Sequence, residues 1–263
     1  MNVIKRIAYK IKADGPFVSN QAMVDRLELV TLPRIVSKIL RKFIQKPPYG
    51  KPRLPSLPKE FKKLPRGQYG LYKLINDYEF STVLDVGSGS DAHAEILHGH
   101  GKIVTTLDFG TSVYYEKKVD GSWKHITGDF MAQNLNEKFD CVWASHVLEH
   151  QPNPGLFIKR CLAQLKEDGI LAITVPPLKN QIVGGHLTLW NAGLLIYQLA
   201  FNGVDCKDAA ICTYGYNITV LVRNKSRPDV ELDYDKGDID RLKAYLPEFA
   251  HEPFDGRIAS WNW

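Results

Sequence analysis

The stretch Thr82 to Ala94, T-V-L-D-V-G-S-G-S-D-A-H-A, constrains the fold of this chain more than any other. A short apolar run ends in an acid, two glycines follow at alternate positions, and a helix-permissive segment comes next. A strand handing over to a helix across a ligand-approaching loop has this form, because glycine tolerates positive φ and has no side chain to keep a ligand away. Gly87 and Gly89 are therefore candidate contacts for a bound group, and Asp85 adds a carboxylate acceptor at the strand's end. The same residues with Ala92 also satisfy the G-x-G-x-x-G/A dinucleotide fingerprint, so the stretch alone leaves a nicotinamide enzyme open.

The surrounding chain continues the pattern. Apolar runs at Thr82–Val86, Ile103–Leu107, His125–Thr127, Asp140–Ala144 and Ile170–Val175 alternate with helical stretches, which predicts a parallel sheet of an α/β protein. A long helix is expected near Ala192–Phe201, then two hairpin-like strands at Ala209–Thr213 and Ile218–Arg223, making seven strands. Ligands of such sheets bind beyond the carboxyl ends of the strands. Here those ends carry Asp85, Asp108-Phe109, Asp129-Phe130, Ser145-His146 and Val175-Pro176. Asp108 lies 19 residues beyond Gly89, where an acid can accept from a ribose diol. Asp129 could accept from an exocyclic amine, with Phe109 and Phe130 offering apolar faces to a purine.

Charge divides the chain in two. The formal net charge is +5, yet residues 1–66 hold 16 Lys+Arg against 4 Asp+Glu, and residues 67–263 hold 18 against 25. In the basic part, Val3, Ile4, Ile7, Ala8 and Ile11, and then Ile35, Val36, Ile39, Leu40, Phe43 and Ile44, recur at helical spacing among cations. Such helices suit an anionic membrane surface, and equally suit a cover over the domain with lysines in water. Nucleic acid is disfavoured, since no stacking aromatics interleave with the basic residues and the body is acidic. Six prolines between Gln45 and Pro65 rule out a long helix there. The expected organisation is a basic helical arm and linker over residues 1–66, a domain over 67–228, and a tail over 229–263 that packs on it. Four scattered cysteines without C-x-x-C spacing, and no apolar run near the ~20 residues of a membrane span, suggest a cytoplasmic protein, peripheral at most on an inner membrane face.

In order, V-L-D-V-G-S-G, T-L-D-F, G-D-F, F-D-C-V-W-A-S-H-V-L-E-H-Q-P-N-P and L-K-E-D-G-I-L-A-I-T-V-P-P resemble the successive motifs of class I S-adenosylmethionine-dependent methyltransferases, from about Leu71 to Arg223. The resemblance implies a Rossmann-like doubly wound sheet of order 3-2-1-4-5-7-6 with strand seven antiparallel, and S-adenosylmethionine as cofactor. It places Gly87 and Gly89 at the methionine part, Asp108 at the ribose, Asp129 with Phe130 at the adenine, and Ser145 among the cofactor contacts. It departs from the family at Asp91, where a third glycine is usual, so an altered start to the following helix is expected. Similar enzymes often carry a histidine on the loop after strand five, here His186 in V-G-G-H. A neutral imidazole suits removal of a hydroxyl proton during methyl transfer, so His186, His150 and His146 are the catalytic candidates. His146 to His150 also reads H-x-x-E-H, a zinc-protease pattern. It falls at a strand's end with Pro152 and Pro154 close behind and no further metal-ligand cluster evident, so no metal is expected. The expected activity is methyl transfer to a hydroxyl of a glycan, glycolipid or other small molecule. A non-turnover cofactor or nucleotide binder at a membrane surface is the alternative, and a nicotinamide-dependent oxidoreductase is the weaker one.

Overall fold

The structure is a computed structural model that describes residues 52–115, 122–252 and 254–263. Both basic amphipathic helices expected in the arm lie outside the described residues. Described structure begins at the end of the proline-rich stretch, where a short helix α1 (Lys59–Lys62) buries Phe61 between Leu57 and Leu64. These three side chains join a core cluster with α2 (Gln68–Asp77) and α3 (Ala92–Gly99), so this part of the stretch is anchored to the domain by apolar burial.

The sheet contains β1 (Thr82–Val86), β2 (Ile103–Asp108), β3 (Lys124–Thr127), β4 (Phe139–Ser145), β5 (Leu165–Val175), β6 (Ala210–Tyr214), β7 (Asn217–Arg223) and β8 (Ser260–Trp261). Their order is β3-β2-β1-β4-β5-β7-β6-β8. β7 runs antiparallel to both β5 and β6. The expected order is thus present with one strand added. β8 comes from the tail and pairs Ile211 with Trp261 and Cys212 with Ser260, covering the β6 edge that a seven-stranded sheet would leave open.

Central strands read as continuous apolar runs because both faces are covered. Alternation of side chains then sorts neighbours to opposite layers. Val83, Cys141, Trp143, Ile170 and Ala172 face the layer of α1, α2 and α3. Leu84, Val142, Ala144, Leu171 and Ile173 face the layer of α4 (Pro154–Ala163), α5 (Ala192–Phe201) and the C-terminal segment around α6 (Asp238–Leu242). The terminal aromatics pack on the body: Trp261 meets Phe249 with ring centroids 5.1 Å apart, and Trp263 lies beside Tyr214 and Lys73. This tail closes the sheet edge, and its Gly256 accepts from Gly193 N–H at the start of α5. Among the described residues no helix is long and apolar enough to cross a membrane.

Candidate active site

The loop after β1 has the conformation its glycines require. Gly87 sits at φ 71° and Gly89 at φ 56°. A Cβ on Gly87 would lie 2.4 Å from Val147 Cγ2, so the loop after β1 touches the loop after β4 at a point where no side chain fits. Asp91 takes the left-handed conformation as well, at φ 64°, and its backbone carbonyl accepts from Glu95 N–H to start α3. Aspartate tolerates the left-handed region better than most residues, so it can hold this position at the start of α3. Its buried carboxylate accepts from Trp123 Nε1 at 3.3 Å and lies 3.3 Å from His125 Nδ1. Those two residues flank and form β3, so Asp91 ties the loop to that strand.

Asp108, 8% exposed, organises the loops at the end of β2. Its Oδ2 accepts from Gly89 N–H and its Oδ1 from Gly110 N–H, both at 2.9 Å. Each carboxylate oxygen keeps further lone-pair capacity, so the residue can hold the glycine loop and accept from a diol as well. Asp129 closes the turn after β3 by accepting from Met131 N–H at 2.8 Å. Phe109 is 57% exposed and offers an open ring. Phe130 is 4% exposed and packs edge-on against Phe157 at 5.5 Å. The expectation of a second free aromatic face is corrected there: the turn after β3 carries this ring into the core against Phe157. Asp85 is buried beneath the glycine loop, and Ser88 and Ser145 bury hydroxyl oxygens that have no hydrogen-bond partner among the described residues. Glycine-lined space, buried hydroxyls and a carboxylate fixed at the second strand end fit the polar groups of S-adenosylmethionine.

The three candidate histidines converge. His146, at φ 58°, lies at the turn out of β4, and its Nε2 is 3.0 Å from Asn217 Oδ1. That oxygen already accepts from Gly67 N–H, so Nε2–H is the donor. Its Nδ1 lies 3.2 Å from Oε1 of Glu149, which is fully buried. His150 donates Nδ1–H to Gly185 O at 2.7 Å, and its Nε2 lies 3.8 Å from Glu149 Oε1. The His150 and His186 rings stand edge to face at 4.9 Å. Glu149 O accepts from Leu187 N–H and Thr188 N–H, which fixes the loop carrying His186. Ligand atoms of Glu149, His150 and His186 lie within 4.8 Å of one another, a spacing that could hold a metal ion. This corrects the sequence reading that H-x-x-E-H stands without a further ligand: loop closure after β5 supplies His186. Burial lowers the pKa of His186 first; His150, His146 and Lys179 press the same way and Glu149 opposes them. His93, assigned no role from sequence, donates Nε2–H to Arg66 O at 3.0 Å and accepts from Trp143 Nε1 at 3.3 Å, tying α3 to the segment before α2.

Beside His186 a cavity is lined by Pro177, Lys179, Gln181, Thr188, Trp190 and Tyr216 among others. Sequence reading did not single out Glu149, Asn217, Tyr216 or Lys179 for a role. Glu149 had a signal, a carboxylate between two histidines; the other three reach the site only through the β5–β7 pairing and the β6–β7 turn.

Residues 84–173 match the family described as a methyltransferase domain. Over 103 residues the chain is 35% identical to the ubiquinone biosynthesis O-methyltransferase of Glaesserella parasuis serovar 5 (strain SH0165), covering 35% of this chain and 44% of that protein. Over 94 residues it is 33% identical to the protein of the same name from Pseudomonas entomophila (strain L48), covering 33% and 40%. The matched region therefore spans less than half the length of these curated relatives. Among solved structures, the N-methyltransferase NodS from Bradyrhizobium japonicum WM9, in complex with S-adenosyl-L-homocysteine, aligns at 18% identity and TM-score 0.48 over 59% of this chain and 84% of that one.

Proposed function

We propose a function from one premise: the chain carries a class I S-adenosylmethionine-dependent methyltransferase domain. Its proposed activity is methyl transfer to a hydroxyl oxygen of a small molecule, with a sugar of a glycan or a lipid head group as the preferred acceptor. The observation that carries the reading is the convergence of His146, His150 and His186 beside the glycine loop, with Val147 of the His146–His150 turn filling the space against Gly87.

S-adenosylmethionine, when bound, supplies a methyl group made electrophilic by its positive sulfur. Asp108 would accept from the ribose hydroxyls while holding Gly89 and Gly110 in place. Gly87, Gly89 and the buried hydroxyls of Ser88 and Ser145 would line the methionine part, and Asp129 with Phe109 the adenine. The acceptor hydroxyl must lose its proton as its oxygen forms the new C–O bond. Burial lowers the pKa of His186, against the opposing pull of Glu149, and its neutral ring can take that proton. His150 packs edge to face against its ring, and His146 is held by Asn217 and Glu149. Positioning supplies much of the remaining rate, since the reaction is an in-line displacement.

Titration calorimetry with S-adenosylhomocysteine tests the cofactor part: binding is expected, with a loss of roughly 100-fold in Asp108→Ala, which forfeits charge-assisted hydrogen bonds. No binding, or binding indifferent to Asp108, refutes it. Transfer of labelled methyl into a cell-envelope extract, abolished in His186→Asn, tests turnover against a binder without chemistry. The basic residues 1–66 favour an anionic membrane as the setting. Liposomes containing anionic lipid should retain the full chain and release one starting at Pro52, which keeps the buried Leu57 and Phe61, and equal partitioning would sink that part.

A further inference from the structure

We propose that the pocket beside His186 is built for an anionic acceptor, one carrying a phosphate or carboxylate near the hydroxyl to be methylated, with Arg66 and Lys179 holding the anion around Tyr216. This rests on the reading of that pocket as the acceptor site.

Three remote segments meet at the Tyr216 ring. Lys179, on the loop after β5, places Nζ 4.2 Å from the ring centroid. Arg66, just before α2, places Cζ at 5.1 Å. Tyr216 itself sits in the turn between β6 and β7, and the His146 ring stacks on it at 6.1 Å and 28°. Two cations gathered around one ring repel each other, and the ring's negative faces offset only part of that repulsion. Proteins ordinarily settle such a pair with a carboxylate. Here the ion pairs among the described residues engage other lysines and arginines. Among the described residues the cavity lining contains no acidic residue. Glu149 is fully buried behind that lining, against His146, His150 and His186.

The background sharpens the contrast, because residues 67–263 hold more acids than bases. A cavity whose lining includes Lys179, with Arg66 on the same tyrosine ring and an acidic body around it, is complementary to an anion, so a phosphorylated or carboxylated sugar or head group suits it better than a neutral one. Arg66 offers a planar fork and Lys179 a mobile point charge, a combination suited to phosphate or carboxylate oxygens. One ligand chemistry has two sources here, since the amino-acid half of the cofactor also carries a carboxylate.

The test uses the full chain saturated with S-adenosylhomocysteine and titrated calorimetrically with phenyl phosphate and with phenol. Phenyl phosphate should bind at least about tenfold more tightly, and Arg66→Gln and Lys179→Gln should each weaken it by about tenfold. Lys59→Gln, an exposed lysine on α1, should leave it unchanged, which separates the pocket from the general charge of the basic segment. Melting temperatures equal to the parent's show that the variants are folded. Equal affinity for the two probes, or undiminished phenyl phosphate binding in the double variant, overturns the proposal. So does a loss of S-adenosylhomocysteine binding in Arg66→Gln that spares 5′-methylthioadenosine, since Arg66 then serves the cofactor's carboxylate. Absence of S-adenosylhomocysteine binding with phenyl phosphate binding intact would refute the methyltransferase reading and leave the anion site standing.

Discussion

Replacing Gly87 by alanine would add one carbon at the tightest point between the two site loops. The new Cβ would sit 2.4 Å from Val147 Cγ2, whereas ordinary contact begins at 3.4 Å, so something must withdraw by about 1 Å. The neighbouring atoms of Val147 are 3.6 Å away, which confines the conflict to that one methyl group. Two costs add. Holding alanine at φ 71° costs about 1–2 kcal/mol, and forcing a carbon into occupied space about 1–3 kcal/mol. The expected loss is about 3 kcal/mol, a fall in Tm of roughly 6–12 °C for a domain of this size. A double-mutant cycle with Val147→Ala separates the two costs. Removing Cγ2 should recover the steric part, giving a coupling of about 1–2 kcal/mol, and should leave the conformational part in place. Chemical or thermal unfolding of the four proteins measures it. Additivity within about 0.5 kcal/mol would refute the contact as the cause, and a neutral Gly87→Ala would refute the left-handed loop itself.

Three further expectations concern titration and reactivity. If His186 is the base, kcat/KM should fall on the acid side with an inflection below 6.5, and Lys179→Gln should move that inflection upward; an inflection at or above 6.5 contradicts the environment described. The pKa of His93 is lowered first by burial, so below pH 6.5 the unfolded chain takes up a proton that the folded chain refuses. Stability from this residue is full above that pH and declines below it, so His93→Gln should flatten Tm between about pH 7 and pH 5; an unchanged slope refutes it. All four cysteines are free and buried, and burial pushes Cys212 up to about 12 and the other three higher still. A thiol reagent should label none in the folded chain and all four in denaturant, and rapid labelling of any under native conditions would show that its burial is not maintained.

Local chemistry in the sequence determined the sheet and the turns at its strand ends. Alternating apolar runs set the strands, and Gly87, Gly89, Asp108 and Asp129 marked where the chain turns out of them, because backbone freedom and charge at a strand end are properties of single residues and their neighbours. Asp91 shows the limit of motif reading: a residue type alone did not reveal that this position takes a left-handed backbone at the start of α3. Only the tertiary structure decided that Phe130 turns inward while Phe109 stays open, and that the last residues add an eighth strand at the β6 edge. It also brought His186 against His150, set fully buried Glu149 among the histidines, and gathered Arg66 and Lys179 at the Tyr216 ring. These residues are far apart along the chain, and no local pattern encodes a meeting that depends on the β5–β7 pairing and on how two loops close over it.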